Sequence, residues 1–231
     1  MEAGHKPLVA VDVAALSVWE RRLWAVVVPR RAEPFRGRWG LPGGFIRMHE
    51  SLDRAAERIL TTETGLGDVF LEQLYSFGAA GRDPRARVIS VAYYALVDWN
   101  QLQKSKAMGQ TEVMRLHVPW AGEAGGAVEL RAADGARLPT AFDHAEILGM
   151  AVKRIRGKLN YAPIGFQLLQ KKFTLRQLQE IHETILNRKL NKDSFRRRML
   201  SSGLLKATGR READVDHRPG ELYGFVRRSA I

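Results

Sequence analysis

Three observations on this 231-residue chain predict an α/β domain followed by a winged helix-turn-helix. Apolar, β-branched runs alternate with one capped helical segment over residues 1–140. From about residue 142 the pattern changes to successive helices closed by a hairpin. Charge divides along the same line. Residues 1–150 hold 18 basic and 18 acidic side chains, and residues 151–231 hold 19 and 7, so the whole formal excess of +12 lies in the last third.

The elements follow in order. PLVAVDVAALSV (7–18) and RLWAVVVP (22–29) bracket the polar turn WERR and read as two antiparallel strands. Ser51 is placed to cap a helix over about 52–64, with Asp53 in its first turn and Gly65 as its stop. Residues 70–78 and 87–98 read as further strands separated by the turn GRDPR. The Gly- and Ala-rich stretch between 100 and 140 reads as surface loops with one or two strands. Three helical segments come next: FDHAEILGMAVKRIRGKLN, TLRQLQEIHETILN and KDSFRRRMLSS. Thr174 and Gln177 have capping-box spacing, and Gly203 sits where a C-cap glycine belongs. LLKATGR and ELYGFVRR around a polar turn read as the hairpin wing. The division expected is 1–140, a linker helix over 141–160, and 161–231.

Composition excludes several classes. Without cysteine there is no disulfide, thiolate nucleophile or cysteine zinc site. No stretch reaches membrane-span length, and the N-terminus lacks the basic start and cleavage site of a signal peptide, so the expectation is a cytoplasmic protein with no membrane partner. A solvated face is mixed in sign, whereas an asymmetry this large favours a polyanion partner for the C-terminal third.

The stretch GRWGLPGGFIRMHESLDRAAERILTTETGL (37–66) resembles the Nudix box, G-x5-E-x7-R-E-U-x-E-E-x-G-U with U aliphatic, beginning at Gly44. Gly44, Glu50, Arg58, Leu60, Glu63, Gly65 and Leu66 match in register, and WGLPGG is also typical of that family. The resemblance implies an α/β Nudix fold, a mixed sheet sandwiched by helices. Ile59 and Thr62 stand where the family has glutamates. Positions 59, 62 and 63 are related as i, i+3 and i+4, so in an active member they put three carboxylates on one face to gather metal against a pyrophosphate. This chain keeps Glu63 alone, and Glu57 lies about 200° round the helix from position 59. Glu50 is left a structural role, pairing with Arg58 or accepting backbone hydrogen bonds. A preserved glycine loop with lost acids implies a ligand pocket without catalytic residues, resident metal or cofactor.

Because the Nudix family acts on nucleoside diphosphates linked to another group, the resemblance implies a nucleotide-like ligand. Candidate contacts are Arg36, Arg38 and Arg47 flanking the box, Arg82, Arg85 and Arg87 around GRDPR, Glu63, and Phe45, Phe35 or Tyr75 for stacking a base. Taken with LYSFGAAGRDPRARVISVAYYALV, AFDHAEILGMAVKRIRGKLNYAP and the tail FTLRQLQEIHETILNRKLNKDSFRRRMLSSGLL with ELYGF, nearly the whole chain is similar to the Nudix-related transcriptional regulators of NAD metabolism. That similarity implies a homodimeric repressor that binds palindromic operator DNA and senses ADP-ribose or a related nucleotide.

The DNA-reading part can be argued from the residues. In a recognition helix over 192–202, Phe195 and Met199 at i and i+4 anchor the helix, and Arg197, about 200° from Phe195, faces away towards a groove. Arg196 and Arg198 flank it. Arg196 and Arg197 are candidates for base or phosphate contact, Lys192, Ser194 and Thr174 for the DNA backbone, and Arg210 and Arg211 for the wing. Two other readings stay open at this point. The intact glycine loop with Glu50 and Glu63 fits an active Nudix hydrolase with an accessory domain, and the basic tail fits an RNA-binding module, although it has neither the aromatic pair of an RRM nor a GXXG clamp.

Overall fold

The computed structural model describes residues 6–106, 111–159, 163–213, 216 and 218–226. Its larger part is built on one mixed sheet. β1 (Leu8–Trp19) is the central strand, antiparallel to β2 (Arg22–Pro29) on one side and parallel to the later β6 on the other. Two short strands follow, β3 (Trp39–Gly40) on β2 and β4 (Gly43–Phe45) on β1. Then come α1 (Leu52–Thr64), β5 (Phe70–Phe77), β6 (Val88–Leu96), α2 (Trp99–Lys106), β7 (Glu112–His117), β8 (Glu129–Arg131) and β9 (Arg137–Leu138). The strand order is β5-β6-β1-β2-β7-β8-β9.

Alternation along β1 explains the layers. Val11, Val13 and Ala15 point to one face, where they meet Ala55, Ala56, Ile59 and Leu60 of α1. Ala14 and Leu16 point to the other, where Ile147, Leu148, Ala151 and Val152 of α3 (His144–Lys158) close over them. α1 starts and stops where the sequence indicates: the Ser51 hydroxyl accepts from Arg54 N, and Gly65 ends the helix in the left-handed region.

Beyond α3, a 3-10 turn (Pro163–Leu168) leads to β10 (Phe173–Thr174), α4 (Leu175–Leu186), α5 (Lys192–Ser201), β11 (Leu205–Arg211) and β12 (Glu221–Phe225). The strands pair in the order β10-β12-β11. Helix, helix and a hairpin backed by a third short strand is a winged helix-turn-helix. The Thr174–Gln177 capping box forms in both directions, and Asn191 caps α5 by accepting from Ser194 N.

Two expectations need correction. The stretch over 100–140, read as loops with one or two strands, holds α2 and three strands, because β7 gains its hydrogen bonds from β2 and needs little propensity of its own. The hairpin carries β10, which composition did not signal, and residues 227 and 228 of its second read strand lie outside the described residues. The segment expected as a linker helix over 141–160 holds α3, whose apolar face shares a continuous core running through Ile155 and Leu159 to Phe166, Leu178, Ile181 and Phe195 of the C-terminal part. No helix among the described residues is long and apolar enough to cross a membrane.

Candidate functional site

One end of the large sheet is opened by β4, the β2–β3 loop and the N-terminus of α3. Two cavities meet there, one of about 230 Å³ and one of about 670 Å³. Both are walled by Arg30, Leu41, Gly43 and His144. The smaller adds Phe45, Arg82, Asp83, Arg85 and Phe142, and the larger adds Val28, Arg31 and Glu63. Gly43 is there because a Cβ would fall 2.2 Å from Asp12 Oδ1. That close approach is the local reason for the LPGG turn.

Beneath the smaller cavity lies a buried charge network. Asp12 accepts from Ser90 Oγ at 2.6 Å and from Arg82 Nη2 at 3.2 Å, and Arg82 also forks onto Asp143 at 2.7 and 2.8 Å. Burial works to lower the Arg82 pKa, and the bonded carboxylates of Asp143 and Asp12 more than offset it. His144 Nδ1 accepts from Leu41 N at 2.8 Å, and its other nitrogen faces Asp12 Oδ1 at 3.6 Å. Burial pushes the His144 pKa down, so the ring is held neutral and hydrogen-bonded.

The candidate ligand residues separate accordingly. Phe45, Arg82 and Arg85 line the smaller cavity and Glu63 the larger. Arg82 is buried, and its Nε and Nη2 are taken up by Asp143 and Asp12, so the structure shows it first as a tie between two carboxylates. Arg85 forks onto buried Asp83 at 2.7 and 3.0 Å. Arg36, Arg38 and Arg47 are exposed and line neither cavity: neighbours in sequence of the glycine loop, they turn away from it, and Arg38 lies over Phe35 instead. Arg87 donates to the carbonyls of Gly78 and Ala79. Phe35 packs edge-on against Phe142, and Tyr75 is exposed on β5 beside Phe77.

Ile59 is buried, with its terminal carbon turned towards Gly44, and Thr62 is exposed. Glu57 is exposed and paired with Arg54, as its place on the helix requires. Glu50 takes a fork from Arg58 at 2.5 and 2.9 Å and a backbone donation from Arg47, which hold its carboxyl down at about 2. Of the three box positions that would carry metal ligands, only Glu63 has a carboxylate, and no cluster of three His, Cys, Asp or Glu donors occurs among the described residues. The residues present do not fit the oxygen-rich shell that a divalent Nudix metal needs.

Sequence reasoning missed Arg30, Asp12, Asp143, Phe142 and His144. For Asp12 a signal existed, a single acid inside the apolar run PLVAVDVAALSV. Arg156 on α3 was missed too. It is fully buried, donates to the carbonyls of Ile185, Trp120 and Gly122, and has burial as the cause of its lowered pKa.

On the basic side, α5 seats Phe195 and Met199 in the core and leaves Lys192, Ser194, Arg196, Arg197 and Arg198 exposed. Arg198 lies over the Phe195 ring, and Arg196 sits beside the Tyr223 hydroxyl. Arg210 and Arg211 are exposed at the end of β11 where the wing begins. Thr174 does not belong with them. It is buried, and its hydroxyl is engaged by Gln177 N at 3.2 Å, so its expected backbone contact is corrected to a helix cap.

The NUDIX domain family matches residues 6–124, and the family described as the NrtR DNA-binding winged helix domain matches residues 165–225. A relative from Acinetobacter baylyi, the "ADPR responsive transcriptional repressor NtrR", is 35% identical over 222 residues, 95% of this chain and 82% of its own length. The ADP-ribose pyrophosphatase of Methanocaldococcus jannaschii is 31% identical over 111 residues, 48% of this chain and 63% of its own. The crystal structure of Shewanella oneidensis NrtR complexed with a 27mer DNA superposes with a TM-score of 0.79 at 31% identity, covering 94% of this chain and 93% of that one. With both domains matched in order and a relative aligned along 95% of this chain, the chain belongs to the family in which a NUDIX domain precedes an NrtR DNA-binding winged helix.

Proposed function

We propose that this chain is a transcriptional repressor of NAD metabolism genes that binds palindromic operator DNA as a homodimer and is governed by ADP-ribose or a related nucleotide in the bilobed pocket. The observation that carries the reading is α5, whose three consecutive arginines face solvent between a capped helix and a wing. An anionic duplex supplies the charge that the protein withholds there. A two-fold dimer follows from the way helix-turn-helix proteins read paired half-sites. The lineage of relatives named for ADP-ribose supports the effector.

Hydrolysis is not part of this reading, because one carboxylate in place of three does not hold and orient a metal-bound nucleophile. The competing reading, an active hydrolase, is favoured by Glu63 in the larger cavity and by the pyrophosphatase relative. One experiment separates them. The full-length protein is mixed with duplex from upstream of its own gene and its neighbours, with and without ADP-ribose. A retarded band that changes on adding ADP-ribose is expected. Absence of any specific band overturns the repressor. Release of AMP from ADP-ribose with Mg²⁺ at about 1 per second or faster restores the hydrolase.

A further inference from the structure

The cavities of about 230 and 670 Å³ share one wall, and Arg30 is the charged side chain on it. Its guanidinium carbon lies 4.7 Å from the centre of the Phe142 ring, and its Nε donates to Pro34 O at 2.9 Å. Those two contacts fix the plane of the fork and leave its terminal N–H groups without a protein acceptor among the described residues. The other two guanidinium groups of the smaller cavity each already carry a carboxylate pair through Nε and Nη2, Arg82 with Asp12 and Asp143 and Arg85 with Asp83, whereas Arg30 has none among the described residues. Burial and the neighbouring Arg85 hold the Arg30 pKa down against the pull of Asp83 and Glu33, and an anion at the shared wall would favour its charged form.

We propose that Arg30 is the diphosphate-binding residue of the effector site, holding the diphosphate at the waist between the two lobes while the groups on either side of it enter one lobe each. The proposal rests on reading the pocket as a nucleotide-effector site. It answers the question left by Ile59 and Thr62, since a diphosphate bound without a divalent ion needs its charge met by a protein cation of matching geometry. A planar fork that can make two parallel hydrogen bonds to adjacent oxygens does this better than an ammonium.

The test is titration calorimetry of the full chain with ADP-ribose, ADP and adenosine, comparing wild type with Arg30→Gln and Arg30→Lys. Arg30→Gln is expected to weaken ADP-ribose and ADP by about tenfold or more while adenosine changes by less than about twofold. Arg30→Lys, which keeps stem and charge but loses the fork, is expected to fall between. Thermal unfolding shows whether each variant is folded, and Arg30→Lys carries the test if Arg30→Gln is not. Undiminished ADP-ribose binding by the folded variants overturns the waist alone. An equal loss for adenosine also overturns it, because Arg30 would then be supporting the pocket wall. Wild-type protein that binds none of the three overturns the effector reading and the waist with it.

Discussion

The two halves of this molecule use the same side chain in opposite ways. Around the pocket, every lining or flanking arginine but Arg30 and the exposed Arg31, Arg36, Arg38 and Arg47 is engaged: Arg58 with Glu50, Arg82 with Asp12 and Asp143, Arg85 with Asp83, Arg87 with two backbone carbonyls. On α5 and the wing, Arg197, Arg210 and Arg211 are exposed and show no carboxylate partner among the described residues. Buried histidines differ in the same sense. His144 under the pocket accepts a backbone hydrogen bond, whereas neither nitrogen of His182 under α5 has a partner among the described residues. Internal neutralisation ties the pocket walls together and leaves Arg30 as an open cation, and withheld neutralisation on the other half leaves a surface that a polyanion completes.

Arg82→Ala breaks this comparison hardest. Removing a guanidinium that is only 4% exposed leaves Asp12 and Asp143 facing each other without a counter-charge. A loss of about 3–5 kcal/mol in urea unfolding is expected, against less than about 0.5 kcal/mol for Arg197→Ala at the surface. Similar values for the two would mean that pairing in the pocket contributes nothing beyond surface charge.

Next in size is the acid limb of stability. Burial, with a smaller contribution from the positive charge of Arg198, lowers the His182 pKa to about 4. Phe195 stacks edge-on to its ring, and the Gly165 backbone closes the other side. The unfolded chain takes a proton near pH 6.5 that the folded chain refuses until about pH 4. Stability is therefore unaffected by this group above pH 6.5 and falls across that window, by about 3 kcal/mol in total. His182→Leu removes the titration and two unpartnered nitrogens, so its unfolding midpoint should be nearly flat over the same range relative to wild type. A parallel decline in both proteins would assign the acid sensitivity to the carboxylates instead.

Much of this was legible in the sequence, and the failures have a common cause. Periodicity and caps located α1, α4 and α5, because Ser51, Gly65, Thr174 and Gln177 act on residues three or four away. The outward arginines of α5 followed from Phe195 and Met199 at i and i+4. Of the arginines expected at the pocket, Arg82 and Arg85 line the smaller cavity while Arg36, Arg38 and Arg47 line neither, since its walls come from positions far apart: Asp12, Arg30, Arg82 and Asp143 meet through tertiary packing that local spacing does not encode. Two-residue strands such as β3 and β9 carry no period to read. Arg30, an arginine after β2, belongs to no motif, and its orientation shows only in the Phe142 ring beneath it and the bond of its Nε to Pro34 O.

The smallest effects test whether all unpaired arginines on the basic side are equivalent. Arg197 projects from α5 opposite its buried face, so in a major groove it can fork onto guanine, and Arg197→Ala should lose about 1–3 kcal/mol at the matched base with relaxed preference there. Arg210 lies on β11 at the start of the wing, where the nearest partner is the phosphate backbone. Arg210→Ala should weaken operator and scrambled duplex alike and reduce the salt slope of log affinity by about one. Measuring both variants against both duplexes at several salt concentrations separates the two roles. Equal, sequence-independent losses would move the base-reading contact off Arg197. If neither variant lost affinity, the exposed arginines of this half would be a solvated face, and the contrast with the pocket would reduce to one between buried and exposed charge.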